Sequence, residues 1–125
     1  MIFRYKKFGS DSFPLLSIFL YNSHLKIKIF ALIDSGATIS IFKEEVAQEL
    51  RIEIETGKEV FLGGVGGRIK GYIHNLEIEV VEKRFSLPVV FSHEYLVSFN
   101  LLGRDTFFEN FLIAFNEKDK ELKLD

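Results

Sequence analysis

Apolar residues recur at every second position through most of this chain, and that period leaves little room for anything but β-sheet. Leu25, Ile27 and Ile29 alternate with Lys26, Lys28 and Phe30; Leu76, Ile78 and Val80 alternate with Glu77, Glu79 and Val81. Phe85, Leu87, Val89 and Phe91 carry the pattern onto a further strand. Upstream, Phe13 to Leu20 predicts a strand, being too short an apolar run to span a bilayer. Lys6-Lys7 precede it as they would a signal-peptide core, but Asp11 interrupts and no small-residue cleavage site follows before His24-Leu25-Lys26. Tyr21 to His24 and Glu82-Lys83-Arg84 supply turns between strands, and residues 111–124 predict a closing hairpin around Lys118-Asp119-Lys120. Helical patterning is confined to Lys43 to Leu50, with acids in its first turn, and to a short stretch from Arg104 to Asn110. The expectation is one mostly-β domain over residues 1–125, a small closed barrel or sandwich with one or two short helices.

Composition removes several classes of function. With no cysteine, thiolate nucleophiles, disulfides and Cys-based metal centres are excluded. His24, His74 and His93 share no metal-ligand spacing and read as ordinary histidines, so neither a metal nor an organic cofactor is implied. A net charge of -2 gives no basic surface for nucleic acid, and no membrane partner is expected. The cysteine count suits a reducing compartment and no targeting segment is apparent, so the cytoplasm is the expected location. Fourteen phenylalanines is a heavy load for a domain whose surface-to-volume ratio leaves many residues exposed, which hints that some are covered by a second chain.

Two stretches carry chemistry. Residues 61–72 read FLGGVGGRIKGY. A dinucleotide fingerprint fails because Ile69 stands where the third glycine belongs, and a phosphate-binding loop fails because Tyr72 replaces its lysine. Branched and aromatic residues flank the glycines, so the stretch reads as a β-hairpin over 59–72 with a wide, Gly-rich tip of about five residues. The second stretch is Ile29-Phe30-Ala31-Leu32-Ile33-Asp34-Ser35-Gly36-Ala37-Thr38, a strand that looks buried and ends in an acid. Asp-Ser-Gly is ordinary turn chemistry, but a carboxylate placed between core strands is partly desolvated, which makes Asp34 a candidate functional acid.

Later in the chain Leu101-Leu102-Gly103-Arg104-Asp105 repeats the form of two apolar residues and a glycine. Taken in order and spacing, Ala31 to Thr38, Gly63 to Gly67 and Leu101 to Asp105 resemble the retropepsin-like aspartic proteases, the family of the retroviral proteases and their cellular relatives, from about Leu15 to Leu124. The resemblance implies the small closed barrel of that family and an aspartic endopeptidase activity. It implies that Asp34 is the catalytic acid and that the Ser35 hydroxyl bridges the two catalytic loops of a dimer. Gly36 would bind extended substrate through its carbonyl, and Ala37 would fill the limited space beside the acids. Gly63, Gly64, Val65 and Gly66 would form the substrate-covering flap, with Val65 at its tip. Leu102 and Gly103 would thread behind the catalytic loop, and Arg104 would be a structural arginine. At Thr38 the chain departs from the retroviral pattern, which carries there an acid that meets this arginine and the substrate backbone.

The chemistry sets a further requirement. Hydrolysis by carboxylates needs one group to deprotonate water and another to protonate the substrate. Only Asp34 occupies such a setting, because Asp105 after Gly103-Arg104 is explained by a helix start and Asp11, Asp119 and Asp125 lie in polar segments. A homodimer that sets Asp34 against its own copy is therefore expected, acting on a peptide or unfolded protein, with the strand Glu121 to Leu124 as an edge for pairing across the dimer. The alternative is a non-catalytic dimeric peptide-binding module that retains the fold, and a weaker one is a small-ligand barrel with a chance Asp-Ser-Gly turn.

Overall fold

The computed structural model describes residues 1–64 and 66–125. In chain order the strands are β1 (Ile2–Arg4), β2 (Lys6–Phe8), β3 (Asp11–Phe13), β4 (Leu15–Asn22), β5 (Leu25–Ile33) and β6 (Ser40–Phe42). Helix α1 (Glu44–Glu49) and a 3-10 turn (Ile54–Thr56) follow, then β7 (Lys58–Gly64), β8 (Gly67–Val80), β9 (Lys83–Phe91) and β10 (Asn100–Leu102). A second 3-10 turn (Phe108–Asn110) leads to β11 (Ile113–Asn116) and β12 (Glu121–Leu124).

The main sheet runs β4-β5-β10-β6-β9-β8-β7, and a β4–β8 pairing turns its first six strands into a closed ring. Alternation fills the inside of that ring. Ile18 and Leu20, Ala31 and Ile33, Ile78 and Val80, and Leu87, Val89 and Phe91 are all buried there. Apart from the small Ala31, each such side chain contributes about 1.5–3 kcal/mol on leaving water. Helix α1 buries Val46 and Ala47, with Leu50 just beyond, against the same core. Asn100 anchors the start of that helix, its side-chain oxygen accepting from the Lys43 N–H at 2.7 Å while its amide donates to the Phe30 carbonyl at 3.1 Å. Among the described residues no helix is long and apolar enough to cross a membrane.

Four expectations are revised. The strand 121–124 is not an edge: β12 lies in the middle of a separate sheet, β1-β12-β11, where β1 from the other end of the chain covers its free side. The glycine hairpin has no five-residue loop, because pairing continues to Gly64↔Gly67 and places Gly63, Gly64 and Gly67 within the strands. Gly67, the first residue of β8, has a left-handed φ of 110°, a conformation that glycine adopts without steric cost. The turn expected at 82–84 sits one residue earlier, at Val81-Glu82, with φ of 49° and 67°, and Lys83 already pairs with Val80. Residues 104–110 do not form an α-helix. The Arg104 and Asp105 N–H groups donate backwards to the Ala37 and Thr38 carbonyls, and Thr106 is left-handed at φ 67°, so only the 3-10 turn remains.

Candidate active site

Asp34 stands at the end of β5, where the neighbouring strand fixes its backbone. Leu102 of β10 pairs in parallel with Ile33, and the Asp34 N–H donates to the Leu102 carbonyl at 3.0 Å. The chain then turns back on itself. The Ala37 N–H donates to the Asp34 carbonyl at 3.2 Å, and the Gly36 N–H donates to Asp34 Oδ1 at 2.9 Å. One carboxylate oxygen is thus held by the turn, and the side chain as a whole is half-buried. A Cβ on Gly36 would stand 3.3 Å from that oxygen, so glycine leaves the carboxylate its room. Ser35 and Gly36 are exposed at the turn and Ala37 is half-buried behind it.

The segment behind this turn is locked by contacts that only glycine permits. At Gly103 a Cβ would lie 2.6 Å from the Ile39 carbonyl oxygen and 2.9 Å from that of Ala37. The Gly103 N–H donates to the buried Ser40 hydroxyl at 3.0 Å, and the next N–H groups, of Arg104 and Asp105, reach Ala37 and Thr38 at 2.9 and 2.8 Å. Leu102 and Gly103 therefore lie directly behind the Asp34 turn. Thr38 and Arg104 meet at an open depression of about 420 Å³, bordered also by Asp105, Phe108 and Glu109. Among the described residues Arg104 forms no ion pair.

The β7–β8 hairpin covers a second groove, of about 300 Å³. Gly63, Gly64 and Gly66 line it together with Leu62, Ile69, Ile41 and the segment Glu94 to Val97. Val65, expected at the hairpin tip, lies outside the described residues. Leu96 and Val97 are unusually exposed for apolar side chains, at 90% and 49%. Tyr95 links this groove to the acid: burial, and after it the Asp34 carboxylate, push its phenol up to about 12. Its hydroxyl donates to the Phe99 carbonyl at 2.8 Å. Residues 94–97 were missed from sequence, where they form an irregular run after a strand and only their apolar pair after Glu94-Tyr95 gives any signal. No cluster of His, Asp and Glu among the described residues has the makings of a metal site.

A strand-end acid beside a parallel neighbour, a glycine threaded behind it and a glycine hairpin over a groove are joined by a match in sequence: the family model for retroviral aspartyl proteases covers residues 10–110. The chain belongs to that family. Its fold agrees, superposing on EIAV protease complexed with the inhibitor HBY-793 with a TM-score of 0.62, over 84% of this chain and 94% of that one, at 17% identity. Among curated proteins, no sequence matches the chain. Family and fold together support an aspartic protease, a hydrolase, in general terms.

Proposed function

We propose that the 125 residues act as a single retropepsin-like domain, an aspartic endopeptidase working as a homodimer in the cytoplasm. The observation that carries this reading is the turn at Asp34, whose one oxygen is fixed by the Gly36 N–H and whose backbone is tied to β10, in a chain that supplies no second acid of the same kind. A two-fold axis beside the turn brings Asp34 against its copy, with Ser35 placed to bridge the two turns. At ~3 Å and an effective dielectric near 20, two carboxylates repel by roughly 5 kcal/mol, so one proton is shared between them. That sharing is the established behaviour of aspartic proteases as a class.

In the reaction the ionised carboxylate takes a proton from a water molecule, whose oxygen attacks the substrate carbonyl carbon. The protonated partner gives its proton to the carbonyl oxygen, and the tetrahedral species collapses with protonation of the leaving nitrogen. Extended substrate lies between the Gly36 carbonyl and the hairpin amides of Gly63, Gly64 and Gly66, with Val65 at the tip and Thr38 at the outer end of the floor. It is bound as an added strand, and the hairpin closes over it as a flap. Leu102, Gly103 and Arg104 act behind the turn, holding Ala37 in place. Because the pair needs one proton, cleavage falls away at alkaline pH.

A second reading, a dimeric peptide-binding module without catalysis, is favoured by one observation: Thr38 stands where retroviral members carry an acid, and Arg104 has no ion-pair partner among the described residues. Peptide cleavage by the wild-type chain separates the two readings, and subunit exchange then tests the shared site. Excess Asp34→Asn chain added to wild type should extinguish peptide cleavage, because each mixed dimer has a single carboxylate. Cleavage that persists in proportion to the wild-type chain would overturn the shared site.

A further inference from the structure

Of three consecutive residues after β9, the outer two send their side chains to one residue of β8 and the middle one to α1 and the first 3-10 turn. Ser92 is fully buried and donates its hydroxyl to the Lys70 carbonyl. Glu94 accepts from the Lys70 N–H at 3.0 Å, and its own N–H donates to the Ser92 hydroxyl at 3.1 Å. Both backbone groups of one β8 residue are thereby held by side chains. The position is where support is otherwise lost: the β8–β9 ladder ends at Tyr72↔Phe91, and Lys70 lies beyond it, paired only with Phe61 of β7. A strand edge left without a neighbour has unpaired N–H and C=O groups, and here Ser92 and Glu94 stand in for the missing strand.

His93, between them, points elsewhere. Its Nδ1 lies 2.9 Å from Glu44 of α1 and its Nε2 lies 2.5 Å from Glu55 of the Ile54–Thr56 turn. A neutral imidazole has a single N–H and serves only one of these carboxylates; the doubly protonated ring serves both. The other charged groups of the neighbourhood are engaged. Glu94 faces Lys70, the Lys43 ammonium is 3.6 Å from Glu45, the Lys70 ammonium is 3.4 Å from Glu59, and His74 is bound to the Ile54 carbonyl.

We propose that Ser92, His93 and Glu94 form a latch on the base of the β7–β8 hairpin, tightened when His93 is protonated. The proposal rests on the reading of that hairpin as the flap and adds a means of regulating it. When His93 donates to both acids, the segment is fastened to α1 and to the 3-10 turn, and Ser92 and Glu94 hold Lys70 from a fixed base. When the ring loses a proton, a lone pair faces a carboxylate and that fastening is lost. Glu94 to Val97, which line the groove under the hairpin, move with the segment. Glu55, and after it Glu44, raise the His93 pKa above its ordinary value, which is about 6.5. The latch is therefore tightest in mildly acidic solution, where a carboxylate pair also keeps its single proton.

Amide exchange at Lys70, measured on the substrate-free protein and corrected for base-catalysed intrinsic exchange, tests the latch. In wild type it should accelerate by about two- to fivefold as the pH rises through the His93 midpoint followed by ring NMR, the effect expected of an exposed pair. In His93→Gln, which cannot be protonated, that step should vanish. Glu94→Ala should speed Lys70 exchange at every pH, and Glu94→Gln, whose amide oxygen still accepts the N–H, should restore protection. Equal Lys70 exchange in wild type and His93→Gln across the whole range would overturn the proposal. Because no substrate is present, a failure to cleave peptides would count against the protease reading alone.

Discussion

Gly103→Ala should destabilise the protein and displace the Asp34 turn, and both effects can be worked from the structure. The new methyl group would lie 2.6 Å from the Ile39 oxygen and 2.9 Å from the Ala37 oxygen, both backbone atoms that no side-chain rotation can move aside. Overpacking of this kind costs about 1–3 kcal/mol. Relief requires the segment to retreat, which stretches the bonds from Gly103 to Ser40 and from Arg104 to Ala37, now 3.0 and 2.9 Å. Each bond is worth about 1 kcal/mol, and weakening each by about half brings the sum to about 2–4 kcal/mol out of a total stability of about 5–15 kcal/mol. With a urea dependence of about 2 kcal/mol per molar, the unfolding midpoint should fall by about 1–2 M. Gly63→Ala is the control, since a Cβ there meets no described atom within 4 Å, and its stability should stay within about 0.5 kcal/mol of wild type. If Gly103→Ala unfolds at the wild-type urea concentration, or both variants lose equally, the account of how the turn is held in place is wrong.

Ser40→Ala leaves the buried Gly103 N–H without its acceptor and should cost about 1–3 kcal/mol by urea unfolding. Stability should also show a pH window from the His93 cluster. His93 is raised by Glu55 and Glu44, so its contribution is complete below about pH 6.5 and is lost as the pH rises through the folded value. Glu55 is lowered chiefly by its bond to His93, so its share is present above about pH 4.3 and is lost as the pH falls through its depressed value. The difference in unfolding midpoint between wild type and His93→Gln should therefore be greatest between those limits, and a difference constant with pH would contradict the pairing. Val65→Asp should lower kcat/KM for peptide cleavage more than it lowers stability; unchanged turnover would count against the proposed closing of the hairpin over substrate.

Much of the fold was legible because its long strands announce themselves locally. The alternation in β4, β5, β8 and β9 reports one buried face, and an eight-residue amphipathic run reports α1. The place of Asp34 at a strand end was legible from the five apolar residues that run into it. What was not legible depends on residues far apart in the chain. Strands β6 and β10 have three residues each, too few to show a period, and each pairs in parallel with a distant strand. The placing of β12 depended on Ile2-Phe3-Arg4, which in sequence is only a short mixed run. The helix expected at 104–110 failed because its first amides are taken by Ala37 and Thr38, a competition that local propensity does not register. His93, Glu44 and Glu55 each look like ordinary solvated side chains until the fold brings them together.

The central claim is tested most directly by incubating the purified wild-type chain and its Asp34→Asn variant with a mixed peptide library from mildly acidic to neutral pH, and identifying new termini by mass spectrometry. The account predicts cuts made by the wild type and absent from the variant, while sedimentation shows both chains folded and dimeric. Cuts made equally by both chains, or none from a wild-type chain shown to be dimeric, would contradict it.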